Sequence, residues 1–301
     1  MKNGWLITGG TGFLGRALAR RLLGLGRNGY GICAAPDNRV CIYSRGEAAQ
    51  VAMRAEFNDD ARLRWLIGDV RDRDRLRRAM ESVEVVVHAA ALKRVEVGEY
   101  NPTEMVQTNV LGSMNVVEAA IDAGVGCVVA VSSDKAVEPL NCYGATKLVA
   151  EKVLLGAAKL ATAPLGPKFV VVRYGNVAGS TGSVIPTWRA QIAAGKSPVI
   201  RSPDATRFWL TAEQAVELIL DSARLPTGTL VVPQLPAYRL GDLMSAMLGP
   251  GDHLQASTTE LGPGEKLHES LKEAGEPGGP QRSDQARRMT IEELREELTR
   301  I

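Results

Sequence analysis

Tyr143 and Lys147 lie four residues apart, so a helix carrying both presents them on one face. A phenol beside an ammonium is a reactive pair, because a cation within about 4–6 Å favours phenolate and draws the tyrosine pKa down from ~10. Such a phenolate can take the proton of a sugar hydroxyl while hydride leaves the same carbon. Alone, Tyr-x-x-x-Lys is a weak signal, since most such pairs are a packed ring and a solvated lysine. The run Ser132-Ser133-Asp134-Lys135, just upstream, strengthens it by adding a hydroxyl, an acid and a base. The plain alternative for Asp134-Lys135 is an ion pair at a strand end.

These groups need a frame. The apolar run from Cys127 to Val131 reads as a buried strand that ends at the Ser-Asp-Lys cluster, and Asn141 stands where a new helix should start. At the N-terminus, Trp5 to Thr8 is a short strand followed at once by Gly9-Gly10-Thr11-Gly12-Phe13-Leu14-Gly15 and an amphipathic helix. Strand, glycine turn and helix in that order is the context of a dinucleotide fingerprint, here spaced G-x-x-G-x-x-G. Gly9 and Gly12 let the backbone approach a pyrophosphate at the helix N-terminus, with Thr11 and Phe13 beside it, and Gly15 lets helix and strand pack closely.

The second strand, Val40 to Tyr43, ends in Ser44-Arg45, where an NAD enzyme would offer a carboxylate to the ribose. Serine and guanidinium welcome a 2′-phosphate, so NADP is favoured over NAD. Asp69 and Val70, after a third strand at 65–67, are placed to meet the adenine. A fourth strand, Val83 to Val87, leads to His88-Ala89-Ala90-Ala91-Leu92-Lys93, where Ala89, Ala90 and Lys93 allow close approach to a cofactor and its substrate. His88 reads better as a hydrogen-bonded structural histidine than as a catalyst. Asn101-Pro102-Thr103-Glu104 reads as a capped helix start, and Asn109 on that helix as a polar contact inside the cofactor domain.

A sixth strand, Phe169 to Val172, leads into Arg173-Tyr174-Gly175-Asn176-Val177. Strands alternating with helices over residues 1–177 imply a Rossmann-type, doubly wound parallel sheet, whose ligands sit at the carboxyl ends of the strands. Beyond Val177 the rhythm changes. Residues 178–301 read mainly as a smaller substrate-binding domain, while 208–232, ending in the apolar Leu230-Val231-Val232, returns to the sheet. Thr290 to Glu293 has the pattern of a capping box.

Composition sets limits. The 301 residues carry a net charge of +2, with 45% apolar and 23% charged residues, an ordinary globular balance that gives no electrostatic case for nucleic acid. Arg71, Arg73, Arg75, Arg77 and Arg78 are interleaved with Asp69, Asp72 and Asp74, as on a solvated face. The four cysteines show no metal or redox spacing, so reduced thiols, no metal and a cytoplasmic setting are expected. Met1-Lys2-Asn3 runs straight into a strand with no signal-peptide pattern, and no apolar run approaches the ~18 residues of a membrane span.

With these residues in hand, the chain resembles the extended short-chain dehydrogenase/reductase superfamily. Within it, it is most similar to the configuration-inverting UDP-N-acetylglucosamine 4,6-dehydratases. The likeness covers nearly the whole chain, from Thr8-Gly9-Gly10-Thr11-Gly12 to Thr206-Arg207-Phe208-Trp209 and Gly264-Glu265-Lys266-Leu267-His268-Glu269. Its most specific part is Asp134-Lys135, where configuration-retaining dehydratases typically carry Asp-Glu and epimerases lack the pair. Two departures stand out: Ser133 replaces the usual threonine, and residues 27–38 form an unusual insertion.

The resemblance implies a redox-neutral elimination on a UDP-sugar. Tyr143, held as phenolate by Lys147, removes the O4 proton while C4 is oxidised, and Ser133 hydrogen-bonds O4. Lys135, kept neutral by burial, then takes the C5 proton. Protonated Asp134 delivers its proton to O6, and hydride returns to C6. Asn176, Val184, Arg207, Glu265 and Lys266, with Lys93, are the implied substrate contacts, and the assembly is a homo-oligomer, a dimer or higher. The competing readings are a 4-epimerase or reductase, a 5,6-dehydratase, and, more remotely, a non-catalytic NADP-binding regulator.

Overall fold

In the computed structural model, residues 4–25, 39–160, 166–248, 256–262 and 264–301 are described, and the 27–38 insertion lies outside them. The chain begins β1 (Gly4–Thr8), α1 (Phe13–Leu22), β2 (Arg39–Ser44), α2 (Glu47–Glu56), β3 (Leu63–Ile67), α3 (Arg73–Ala79), β4 (Val83–His88), α4 (Val95–Tyr100) and α5 (Pro102–Met105). A π-helical stretch, Val106–Leu111, leads into α6 (Gly112–Ala123), β5 (Cys127–Val131), a short turn of helix at Asp134–Ala136, α7 (Cys142–Leu160) and β6 (Lys168–Val172). Then come α8 (Val184–Ala193), β7 (Val199–Arg201), β8 (Thr206–Phe208), α9 (Ala212–Ser222), β9 (Thr229–Val231), β10 (Ala237–Arg239), α10 (Leu240–Met247), β11 (Ser257–Thr259), β12 (Ser270–Lys272), β13 (Gln281–Arg282) and α11 (Ile291–Arg300).

Seven strands form one parallel sheet in the order β3-β2-β1-β4-β5-β6-β9, the doubly wound Rossmann-like arrangement expected. The central strands β1, β4, β5 and β6 are mostly apolar because both faces are covered. Leu6, Val86, Val128 and Val171 share a core with Leu76, Val116 and Leu154 of α3, α6 and α7. Their neighbours Ile7, Val87, Val129 and Val172 share the opposite core with Leu18 of α1 and Val216 and Ile219 of α9. The period-two alternation of the strands thus builds two helical layers from one sheet.

The apolar run near Leu230 does return to the sheet: β9 pairs parallel with β6, Val171 opposite Leu230. The C-terminal half has its own core around Ile185, Trp188, Leu243, Met244 and Leu294, and Trp209 meets Tyr238 edge-on at 5.5 Å. The capping box at Thr290 and Glu293 forms at the start of α11.

One local expectation fails. Asn101 precedes α5 but does not cap it; its side-chain amide donates instead to the Val97 carbonyl of the helix just before. Glu104 is likewise taken by Arg71 at 2.7 Å. The Arg71–Arg78 stretch is otherwise the solvated face expected, with Arg73 bridging to Glu118 and Asp122. Cys41 and Cys127 are buried, and burial pushes their thiols up to about 12 and about 11. Among the described residues no cluster could hold a metal ion, and no helix is long and apolar enough to cross a membrane.

Candidate active site

A cleft of about 670 Å³ opens at the carboxyl ends of the strands. Its inner wall is the glycine turn. Gly9 has φ +68°, and a Cβ there would stand 2.9 Å from Ala90 Cα, so only glycine permits the turn to touch the β4 loop. A Cβ on Gly15 would stand 2.4 Å from the Gly10 carbonyl oxygen, which explains that glycine as a packing requirement. No side chain caps α1, so its first N–H groups are left to a ligand. Thr11, Gly12, Phe13, Ser44, Arg45, Asp69, Val70, Ala89, Ala90, Lys93, Tyr143 and Lys147 all line the same cleft. A dinucleotide fits this cradle.

His88 is structural, as expected. Its ring bridges the Thr8 hydroxyl at 2.8 Å and the Ser113 hydroxyl at 3.1 Å, and burial, helped by the charge of Lys147, pushes it down to about 3.

Asn109 does not line the cleft. It sits in the π-helical stretch, where its amide accepts from Leu92 N–H and donates to Leu92 C=O and to Thr146 Oγ1. Asn109 therefore fixes the loop that carries Lys93 and ties it to α7. A π turn inserts one residue per turn, which swings this amide inward.

The reactive groups converge from three elements. Asn141 caps α7 by accepting from Gly144 N–H at 2.8 Å, which sets Tyr143 at the first turn facing the end of β5. Ser133 donates to Asp134 Oδ1 at 2.8 Å, and Lys135 Nζ donates to the same oxygen at 3.1 Å. Ser133, Lys135, Tyr143 and Asn176 face the cleft, while Asp134, 1% exposed, lies behind them.

The electrostatics differ from the expectation in two respects. Burial raises the Tyr143 phenol, against the pull of the Ser133 hydroxyl and the Lys135 charge, where a lowered one was expected. The Lys147 ammonium is bonded to the Val131 carbonyl, and burial brings it down to about 8. Lys135, expected to be neutral, is the reverse: burial opposes its charge, but the Asp134 and Glu269 carboxylates more than offset this and raise its proton affinity. Asp134 is raised by burial and by Glu269, in the direction of a proton-carrying acid.

The implied substrate contacts divide. Lys93 and Asn176 line the cleft. Arg207 turns to the Thr206 and Leu267 carbonyls and to Glu269; Glu265 pairs with Arg201; Lys266 donates to the Val137 carbonyl. Val184 packs on the core of the C-terminal half. These four do not line this cleft.

Glu269, Ser132 and Tyr174 were missed. Ser132 Oγ and Tyr174 OH are buried without a hydrogen-bond partner among the described residues, and both residues line the cleft, as groups awaiting a ligand would. The only sequence signal for Tyr174 is its place after a buried strand.

Residues 5–291 match the family described as polysaccharide biosynthesis protein. The chain belongs to that family. A relative from Campylobacter jejuni, the inverting UDP-N-acetylglucosamine 4,6-dehydratase, is 41% identical over 82% of this chain and 71% of its own length. The UDP-glucose 4-epimerase of Rickettsia conorii is 39% identical over 80% of this chain and 69% of its own. Among solved structures, Pen from Bacillus thuringiensis superposes with TM-score 0.90 and 34% identity, covering 100% of this chain and 99% of that one. The matched region, residues 5–291, contains every residue of the cleft.

Proposed function

We propose that the protein is a configuration-inverting 4,6-dehydratase of UDP-N-acetylglucosamine, yielding a UDP-4-keto-6-deoxy-hexosamine. The observation that carries this reading is the Asp134–Lys135 pair, 3.1 Å apart at the end of β5 beside Tyr143. An epimerase needs the tyrosine and the cofactor but would leave this acid and base idle. The Campylobacter relative supports the same activity.

A nicotinamide dinucleotide supplies a hydride acceptor for C4 and a hydride donor for C6, and Gly9, Gly12, Ser44, Arg45, Asp69, Val70, Ala89, Ala90 and Lys147 are the residues that would hold it. Arg45 at the lip of the cleft supports NADP over NAD, since a guanidinium suits a 2′-phosphate. Tyr143, acting as the phenolate, accepts the O4 proton and becomes the phenol, with Ser133 hydrogen-bonded at the same oxygen. Lys135 takes the C5 proton, made acidic by the new ketone. Asp134 protonates departing O6, which requires its carboxyl to turn into the cleft when the sugar binds. Each shuttle contributes roughly 10²–10⁴-fold. Lys93 and Asn176 face the sugar nucleotide. We take residues 1–177 with 208–232 as the cofactor domain, the rest of 178–301 as the substrate domain, and the working form as a cytoplasmic homo-oligomer, a dimer or larger, to be measured by light scattering.

The test is proton NMR of UDP-N-acetylglucosamine with the protein and NADP in heavy water. The expected product shows a C6 methyl signal with deuterium at C5 and a 4-keto L-arabino ring. A UDP-N-acetylgalactosamine spectrum without a methyl would instead mean an epimerase, and a vinylic signal a 5,6-dehydratase.

A further inference from the structure

Lys135 Nζ is surrounded by three acceptors: Asp134 Oδ1 at 3.1 Å, Glu269 Oε1 at 3.3 Å and Asn176 Oδ1 at 3.4 Å. An ammonium has three N–H bonds, so this surrounding is matched to the charged lysine and not to a free amine. Glu269 is 3% exposed and comes from a segment 134 residues away. Its backbone N–H donates to Ser283 Oγ at 2.8 Å, its carboxylate faces Arg207 Nε at 3.7 Å, and its Oε2 is buried without a hydrogen-bond partner among the described residues. A carboxylate so buried is stable only while cations hold its charge, here Lys135 and Arg207, with Lys266 further off.

We infer that Glu269 is the positioning residue of the base: it pins Lys135 against Asp134 and completes a cluster of zero net charge with Asp134, Lys135 and Arg207. The inference rests on the dehydratase reading and deepens it. In a neutral cluster the reactive form differs from the resting form only by one internal proton. An N–H bond of the Lys135 ammonium breaks, an O–H bond forms on Asp134, and the electron pair stays on nitrogen. The result is a neutral amine ready for C5 and a neutral acid ready for O6. Glu269 and Arg207 remain a compensated pair, so no proton is exchanged with solvent. Among the described residues, the other titratable groups facing Lys135 are the Tyr143 phenol and Lys93 across the cleft.

The test is E269Q, read in two ways. In protein carrying ¹³C-labelled lysine, with K135M for assignment, the wild-type Lys135 signal should titrate above the ordinary lysine range, and the E269Q midpoint should fall by at least about one pH unit. In single turnovers, E269Q should lower C5 deuterium uptake at least tenfold more than it lowers C4 oxidation. E269D should be intermediate in both, and it carries the test alone should E269Q not fold. An unmoved Lys135 midpoint, or equal loss of both steps, overturns the inference. A shifted midpoint in a protein that dehydrates no UDP-sugar would keep the pinning role and remove the dehydratase reading.

Discussion

Lys147 sits one helical turn beyond Tyr143 on α7 and gives its ammonium to the Val131 carbonyl at 2.5 Å. The lysine therefore anchors the helix to the end of β5, and the phenol is left to burial, Ser133 and Lys135. Two roles follow from one contact. K147A should strip the cleft of a buried donor and leave the Val131 carbonyl without it. C4 oxidation is expected to fall roughly 10²–10⁴-fold, as measured by the absorbance of reduced nicotinamide in a single turnover. Loss below tenfold would show that Tyr143 works without this lysine.

Arg45 sets the cofactor prediction. Its guanidinium stands 3.7 Å from the Asp69 carboxylate and its side chain is 52% exposed, so it is held loosely and can turn to a ligand. The Ser44 hydroxyl, by contrast, is engaged by Gln50 at 3.1 Å. R45E replaces the attraction for a 2′-phosphate with repulsion. The NADP Kd should rise at least about tenfold while that of NAD changes little, measured by fluorescence titration. Equal changes in both would remove the NADP preference.

What was legible in the sequence was local. The strand, glycine turn and helix at Gly9 to Gly15 need only neighbouring residues, and so does the four-residue spacing of Tyr143 and Lys147. Apolar runs such as 230–232 announce a strand wherever they fall, here the half-buried edge strand β9. The fate of Glu265, Lys266 and Glu269 was not legible, because all three are charged and share one turn. A bridge between Thr206 and His268 orients that segment, and the hydrogen bond between Thr206 Oγ1 and His268 Nδ1 fixes it, so that, of the three, Glu269 points to Lys135. That partner is far away in the chain. Asn101 failed for a nearer reason: the Val97 carbonyl of the preceding helix competes for its amide.

His88 makes the fold acid-sensitive. Its folded pKa, pushed down to about 3, lies below the ordinary 6.5, so the unfolded chain binds a proton between these values and the folded chain does not. The contribution is complete above pH 6.5 and is lost as pH falls toward 3. At pH 4.5 the loss should be roughly 2–3 kcal/mol. H88Q removes the titrating group, so urea midpoints at pH 7 and 4.5 should differ less in the variant than in the wild type. Parallel slopes would mean that His88 is charged in the folded protein.

Two glycines of α7 should respond oppositely to the same substitution. A Cβ on Gly144 would stand 2.2 Å from the Lys135 carbonyl oxygen, a backbone atom that cannot swing away. G144A must push the start of α7 off the Asp134–Ala136 turn, and these two segments carry Tyr143 and Lys135. It should cost about 1–3 kcal/mol and lower turnover more than cofactor affinity, since the glycine turn is untouched. Gly156 has nothing within 4 Å of its added Cβ, and it lies in the same helix. G156A gains only helix propensity, so it should stabilise by about 0.5–1 kcal/mol with turnover unchanged. Thermal melts and initial rates on the pair separate contact from propensity. If both variants melt alike, the close approach of α7 to the Lys135 backbone is not what sets the distance between phenol and base.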